Sequence, residues 1–233
     1  MHLRLTGGGR LIHNGHMDVL ASPLPLFPLQ TVLFPGGVLP LRIFEVRYLD
    51  MIGRCHREGT PFGVVTLTQG QEVRSATGPQ EVFHHVGTLA TITQFDRPQE
   101  GVMMVRCQGG QRFSVQSSKR LTHGLWVGQV QPMADDAAVP VPPELKHLAS
   151  LLDRMVTQLQ DQEASAGWAR DLLPEPHHWD DCGWLANRWC ELLPVQTELK
   201  QRCMALDNPL LRLELVDDML ERLGLQPPTG RSA

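Results

Sequence analysis

His177, His178 and Cys182 come nearest to a metal site by type and spacing: an imidazole and a thiolate four residues apart on one helix face can share a zinc ion. No second ligand pair accompanies them, so the set reads as structural or solvent-facing. Asp180-Asp181 and Asp217-Asp218 are carboxylate pairs. Neighbours on a helix point about 100° apart, which makes them poor acid/base dyads and well-solvated charges. His84-His85 falls in a strand pattern that turns one ring inward and the other outward. The lysines, Lys119, Lys146 and Lys200, never follow a glycine, so no phosphate-cradling G-x-x-x-x-G-K-[ST] loop exists, and neither G-x-S-x-G nor H-E-x-x-H occurs. No catalytic residue, metal or cofactor is expected.

Cys55, Cys107, Cys182, Cys190 and Cys203 form no C-x-x-C pair and, being odd in number, cannot all be bridged. Reduced thiols and a cytoplasmic location follow, since no secretion signal precedes them. The first 22 residues hold Gly7-Gly-Gly9 and Gly15-His-Met17 but no signal-peptide apolar core. They read as a flexible leader, a mis-called start or a cloning scar, and are set apart from the fold. No apolar run reaches the roughly 20 residues of a membrane helix. With 42% apolar and 20% charged residues in 233, the chain is a soluble globular protein of one or two domains. Its net charge of −4 hides an asymmetry: residues 1–133 carry 12 Lys+Arg against 8 Asp+Glu, and residues 134–233 carry 9 against 17. The basic charges of the first half are scattered singly, the pattern of a solvated face more than of an anion site.

The densest apolar stretch, Leu24 to Tyr48, must position whatever site exists. Pro25, Pro28, Pro35 and Pro40 lack backbone donors, so it can hold only short extended pieces and tight turns. Pro35-Gly36-Gly37 signals a turn, Val38–Phe44 a strand, and Phe44, Tyr48, Met51, Ile52 and Cys55 a helix with Glu45 in its first turn and Gly59 as its stop. Further strands are predicted at 62–67, 82–95 with a bulge at Gly87, 102–108, 111–116 after a turn at Gly109-Gly110, and 125–130, with a polar loop at 69–80. Short strands at this spacing indicate a barrel or sandwich. Residues 133–143 are a proline-stiffened linker, where proteases should cut at Asp135-Asp136 or else in the 69–80 loop. Beyond it, helices are predicted from the seam Leu145, Leu148, Leu152, Met155 and Leu159, from 179–193, and from Asn208 to Gly224. The expected layout is a leader (1–22), a β domain (23–132), the linker (133–143), a helical domain (144–225) and a tail (226–233).

Leu24-Pro-Leu-Phe-Pro-Leu29, then Val32-Leu-Phe-Pro-Gly-Gly-Val-Leu-Pro-Leu-Arg-Ile-Phe-Glu45, then Arg47-Tyr-Leu-Asp-Met51 resemble the opening of the Lon protease N-terminal domain. The segment 193–207, Arg212-Leu-Glu-Leu215 and Leu220-Glu-Arg-Leu223 resemble its closing helices. The resemblance implies an α+β fold: a PUA-like twisted β pseudo-barrel with one early helix, then a C-terminal helical bundle. It implies a bacterial-type recognition module without the ATPase and peptidase engines, binding exposed apolar or unfolded polypeptide segments as an adaptor or chaperone-like factor beside a protease or chaperone. It places the site at Phe34, Glu45, Arg47 and Tyr48, with Phe44 beside them. Four-residue spacing turns Phe44 and Tyr48 inward and leaves Glu45 and Arg47 to solvent. RNA binding is the alternative, since PUA-like barrels often hold RNA. Against it stand a pI near 6.2, a single tyrosine and the lack of a Lys/Arg cluster.

Overall fold

A computed structural model describes residues 23–72, 80–162, 173 and 175–225. The expected leader, the expected tail and positions 73–79 of the expected polar loop lie outside the described residues. The strands are β1 (Leu24–Leu29), β2 (Val38–Ile43), β3 (Phe62–Gln69), β4 (Val82–Gln99), β5 (Val102–Arg120) and β6 (Trp126–Pro132). The helices are α1 (Val46–Glu58), α2 (His147–Gln162), α3 (Cys182–Leu192), α4 (Thr197–Ala205) and α5 (Pro209–Arg222).

The strands pair in the order β2-β5-β4-β3-β1-β6, and β5 also pairs with β6, so the ladder β1-β3-β4-β5-β6-β1 closes on itself. β1 runs parallel to β3, and the other pairs are antiparallel. The prolines of β1 fit because the strand changes neighbours along its length. Leu24–Leu26 pair with β6 and Leu26–Leu29 with β3, so Pro25 and Pro28 each have one neighbouring strand and the missing donor costs no ladder bond on the other side.

Two glycine readings change. Gly109-Gly110 does not turn the chain; β5 runs unbroken from Val102 to Arg120. A Cβ at Gly109 would run into the Phe34 carbonyl oxygen, so the glycine admits a close backbone approach, sealed by the Gly36 N–H to Gly109 O and Gly109 N–H to Gly37 O bonds, both 2.8 Å. Gly87 itself pairs with Val65 and Phe113, and the β3–β4 register shifts directly beside it, between the Val65–Gly87 and Leu67–Phe83 pairs, so the irregularity borders the glycine, whose missing side chain makes room for the Val64 carbonyl and Phe113.

α1 packs Tyr48, Met51, Ile52 and Cys55 onto the sheet with Phe27, Phe62 and Val105, the apolar spacing read from the sequence. Tyr48 stacks on Phe27 with ring centroids 4.0 Å apart. Each such burial is worth about 1.5–3 kcal/mol. Gly59 ends the helix at φ 64°.

The second core gathers Leu148 and Leu152 of α2, Leu185 and Trp189 of α3, Cys203 and Met204 of α4, and Leu213, Val216 and Leu220 of α5. Asp181 caps α3 by accepting from Trp184 N–H, and Asn208 caps α5 by accepting from Leu211 N–H. His178 precedes α3, so the i, i+4 relation to Cys182 does not arise. Val32 and Phe34, from the proline-rich start, belong to this helical core. Polar bonds add to the seam: Thr66 donates to Gln201, Gln201 to the Val86 carbonyl, and Thr88 to the Leu33 carbonyl. The stretch 133–143 is fastened to both halves. Asp136 takes Arg112 of β5 at 2.9 Å and Arg212 of α5 at 2.6 Å, and Cys182 N–H donates to the Val139 carbonyl.

Candidate polypeptide-binding surface

The start of α1 is built around a buried cation. Glu45 is the N-cap residue but makes no capping bond; its carboxylate lies 3.1 Å from Arg47 Nε. Arg47 is 6% exposed at the positive end of a helix, where its charge is disfavoured. Glu81, just before β4, offsets this with an oxygen 2.9 Å from Arg47 Nη2, while Arg47 Nη1 donates to the Gly124 carbonyl at 2.9 Å. The second Glu81 oxygen accepts from Trp126 Nε1 at 2.6 Å. Burial works against the guanidinium charge, yet the Glu81 hydrogen bond and neighbouring carboxylates prevail and its pKa is raised. Burial also pushes the Tyr48 phenol up. One carboxylate thus clamps α1, β6 and the start of β4 together. A pair held this way defines shape more than it adds net stability.

Apolar side chains stand in water beside the clamp. Phe44 is 51% exposed, Val46 73% and Val82 46%. Phe44 and Val46 flank Glu45, and Val82 follows Glu81, so the Arg47–Glu81 ion pair draws the two segments into one neighbourhood. The turn that offers the Gly124 carbonyl also borders a cleft of about 710 Å³ with Leu24, Pro25, Leu125 and Val127 among its walls. Uncovered apolar groups around a rigid polar frame can bury the side chains of an extended chain.

The expected site residues divide differently from their sequence reading. Phe34 has no exposed surface and lies in the helical core, so in this conformation it shapes the structure and offers nothing to a ligand. Tyr48 packs inward, as its spacing predicts. Phe44 and Arg47 exchange places: the aromatic is outside and the cation inside, because α1 begins at Val46 and Phe44 falls off its apolar stripe. Glu45 is half-buried. Glu81, Gly124 and Trp126 went unseen, since their partnership with Arg47 spans 34 residues or more and no local pattern signals it. Among the described residues, no group of three or more His, Cys, Asp or Glu is arranged to hold a metal, and no helix is long and apolar enough to cross a membrane.

Residues 23–222 match the family model of the ATP-dependent protease La (LON) substrate-binding domain. The chain belongs to that family. It is similar to the Lon protease of Anaeromyxobacter dehalogenans, 27% identical over 208 residues that make up 87% of this chain and 23% of that protein. It is also similar to the protein cereblon of Xenopus tropicalis, 28% identical over 138 residues, 58% of this chain and 28% of that one. The chain therefore spans about a quarter of the length of these relatives. Among solved structures, the Lon N-terminal domain protein from Xanthomonas campestris superposes with a TM-score of 0.65 and 32% identity, over 84% of this chain and 98% of that one. The N-terminal domain of the Mycobacterium avium complex Lon protease shares the fold, with a TM-score of 0.54 and 17% identity.

Proposed function

We propose that this chain is a non-catalytic module that binds polypeptide segments exposing apolar side chains, through the surface formed by Phe44, Val46 and Val82 around the Arg47–Glu81–Trp126 clamp. The observation that carries the reading is the exposure of those three apolar side chains beside an internally satisfied polar frame. Membership of a substrate-binding domain family supports it. In this role the protein works in the cytoplasm as an adaptor or chaperone-like factor, handing segments to a protease or chaperone, and needs no cofactor or metal. Burying one or two apolar anchors is worth about 1.5–3 kcal/mol each, enough for weak, broad affinity and too little for tight selection.

The test is titration of a chemically unfolded apolar polypeptide, and separately of a single-stranded RNA, into the wild type and a Phe44→Ser/Val46→Ser variant that still melts cooperatively. The expected result is saturable polypeptide binding that the variant loses. Unchanged binding in the variant would remove this surface from the site. RNA binding with a steep salt dependence and no polypeptide binding would replace the reading with nucleic-acid recognition.

A further inference from the structure

A second recess of about 330 Å³ opens where residues 133–143 pass between the sheet and the helices. Gln108, Arg112, Asp135, Glu175, His178 and Trp184 are among the residues around it. Its cations are turned inward. Arg112 is 3% exposed and spends its guanidinium on the Met204 and Leu206 carbonyls and on Asp136. Arg212, behind Asp136, is equally buried. Arg188 Nε and Nη1 and Arg212 Nε lack hydrogen-bond partners, but neither residue lines the recess. Asp135 and Glu175, by contrast, are exposed. An entering ligand meets carboxylates before it meets a guanidinium.

The recess also has an aromatic wall. Trp184 packs edge-on against Trp179, 5.1 Å between centroids, and near His177 at 5.8 Å and His178 at 6.4 Å. Its backbone is held by the 2.7 Å bond from its N–H to Asp181. A supported indole ring and exposed carboxylates around one recess are the complement of a planar cation. A guanidinium stacks on an aromatic face and takes carboxylates two nitrogens at a time, which an ammonium cannot do.

We infer that this recess receives an arginine side chain of a bound polypeptide, stacked on Trp184 with its charge met by Asp135 and Glu175. The inference rests on the polypeptide-binding reading only for the kind of ligand. The recess shares no residue with the apolar surface, so the two can fail separately.

The probe is acetyl-Gly-Ser-Arg-Ser-Gly-amide, with twins carrying citrulline or glutamate in place of arginine, titrated into labelled protein while the Trp184 indole N–H resonance is followed. That resonance is assigned with a Trp184→Phe variant. The arginine peptide should shift it saturably. The citrulline twin should bind about fivefold more weakly, and Asp135→Asn/Glu175→Gln should weaken the arginine peptide about fivefold, as expected when exposed ion pairs are lost. Both substitutions are on exposed side chains, and Phe44→Ser/Val46→Ser should leave this binding unchanged. No Trp184 shift up to about 20 mM peptide, equal binding of the arginine and citrulline peptides, preference for the glutamate twin, or indifference to the Asp135→Asn/Glu175→Gln change would each overturn the inference.

Discussion

Asp136 lies 2.6 Å from Arg212 across 76 residues of chain, and the same carboxylate also holds Arg112. This side chain bridges two guanidiniums that are 1% and 3% exposed, with Asp207 as a second carboxylate 3.3 Å from Arg112. Asp136→Asn keeps the shape and removes the charge, leaving two buried cations short of a partner. The expected loss is about 3 kcal/mol, read from the chemical denaturation midpoint at unchanged slope. Composition marks Asp135-Asp136 as a protease site, but the anchored Asp136 argues that wild type resists cutting there and that the variant is cut there first. Early cleavage of wild type at this peptide bond would refute the anchoring role.

Glu81→Gln should be comparably damaging for a different reason. Arg47 loses the negative charge that offsets its burial at a helix N-terminus, and one oxygen is left where Arg47 and Trp126 each had their own. The expected cost is about 3 kcal/mol, and Trp126 fluorescence should change because its Nε1 donates to the same group. A variant as stable as wild type would show that Gly124 and Glu45 suffice to hold the cation.

Glu191 gives the stability a pH dependence. Burial pushes its carboxyl up to about 7, ahead of the opposing pull of Arg188 and Lys200. The folded pKa is raised above the unfolded value, so between about pH 4.5 and 7 the native state binds more protons than the unfolded state, and stability falls as pH rises through that window. The difference between wild type and Glu191→Gln should therefore drift by about 1–3 kcal/mol between pH 5 and pH 7.5, wild type losing ground at the higher pH. Parallel midpoint-versus-pH curves would dismiss Glu191 as the source.

Gly109→Ala tests the close approach of β5 to the proline-rich start. The added methyl meets the Phe34 carbonyl, a backbone atom that cannot rotate away. A loss of about 1–3 kcal/mol is expected, with the paired Gly36 and Gly109 amides exchanging faster with solvent. A neutral substitution would mean the two backbones can separate cheaply.

Much of the architecture is legible from local rules. The α1 stripe from Tyr48 to Cys55, the Gly59 stop and the Asn208 cap each depend on residues within one or two turns, and each is found where periodicity and capping place it. Gly109-Gly110 misleads because a glycine pair serves a turn and a backbone crossing equally well, and Phe34, which decides between them, is 75 positions away. Arg47 misleads for a related reason. A cation on a helix is expected outside, and Glu81, the residue that brings it inside, is visible only once the sheet has closed. The family resemblance pointed to Glu45, Arg47 and Tyr48, and their division into exposed and buried members needed the helix start to within one residue.

Val32 and Phe34 carry a consequence for biosynthesis. Their packing partners, among them Leu148, Trp189 and Leu213, are translated more than a hundred residues later. At about 5–20 residues per second, these two side chains wait roughly 6–36 seconds for their cover, longer than a small β structure needs to form. A nascent chain stalled before α2, or a recombinant fragment cut at the apparent boundary near 132, would display them, the fragment together with an Arg112 deprived of Asp136, and would itself present the kind of sticky surface that quality-control factors seize.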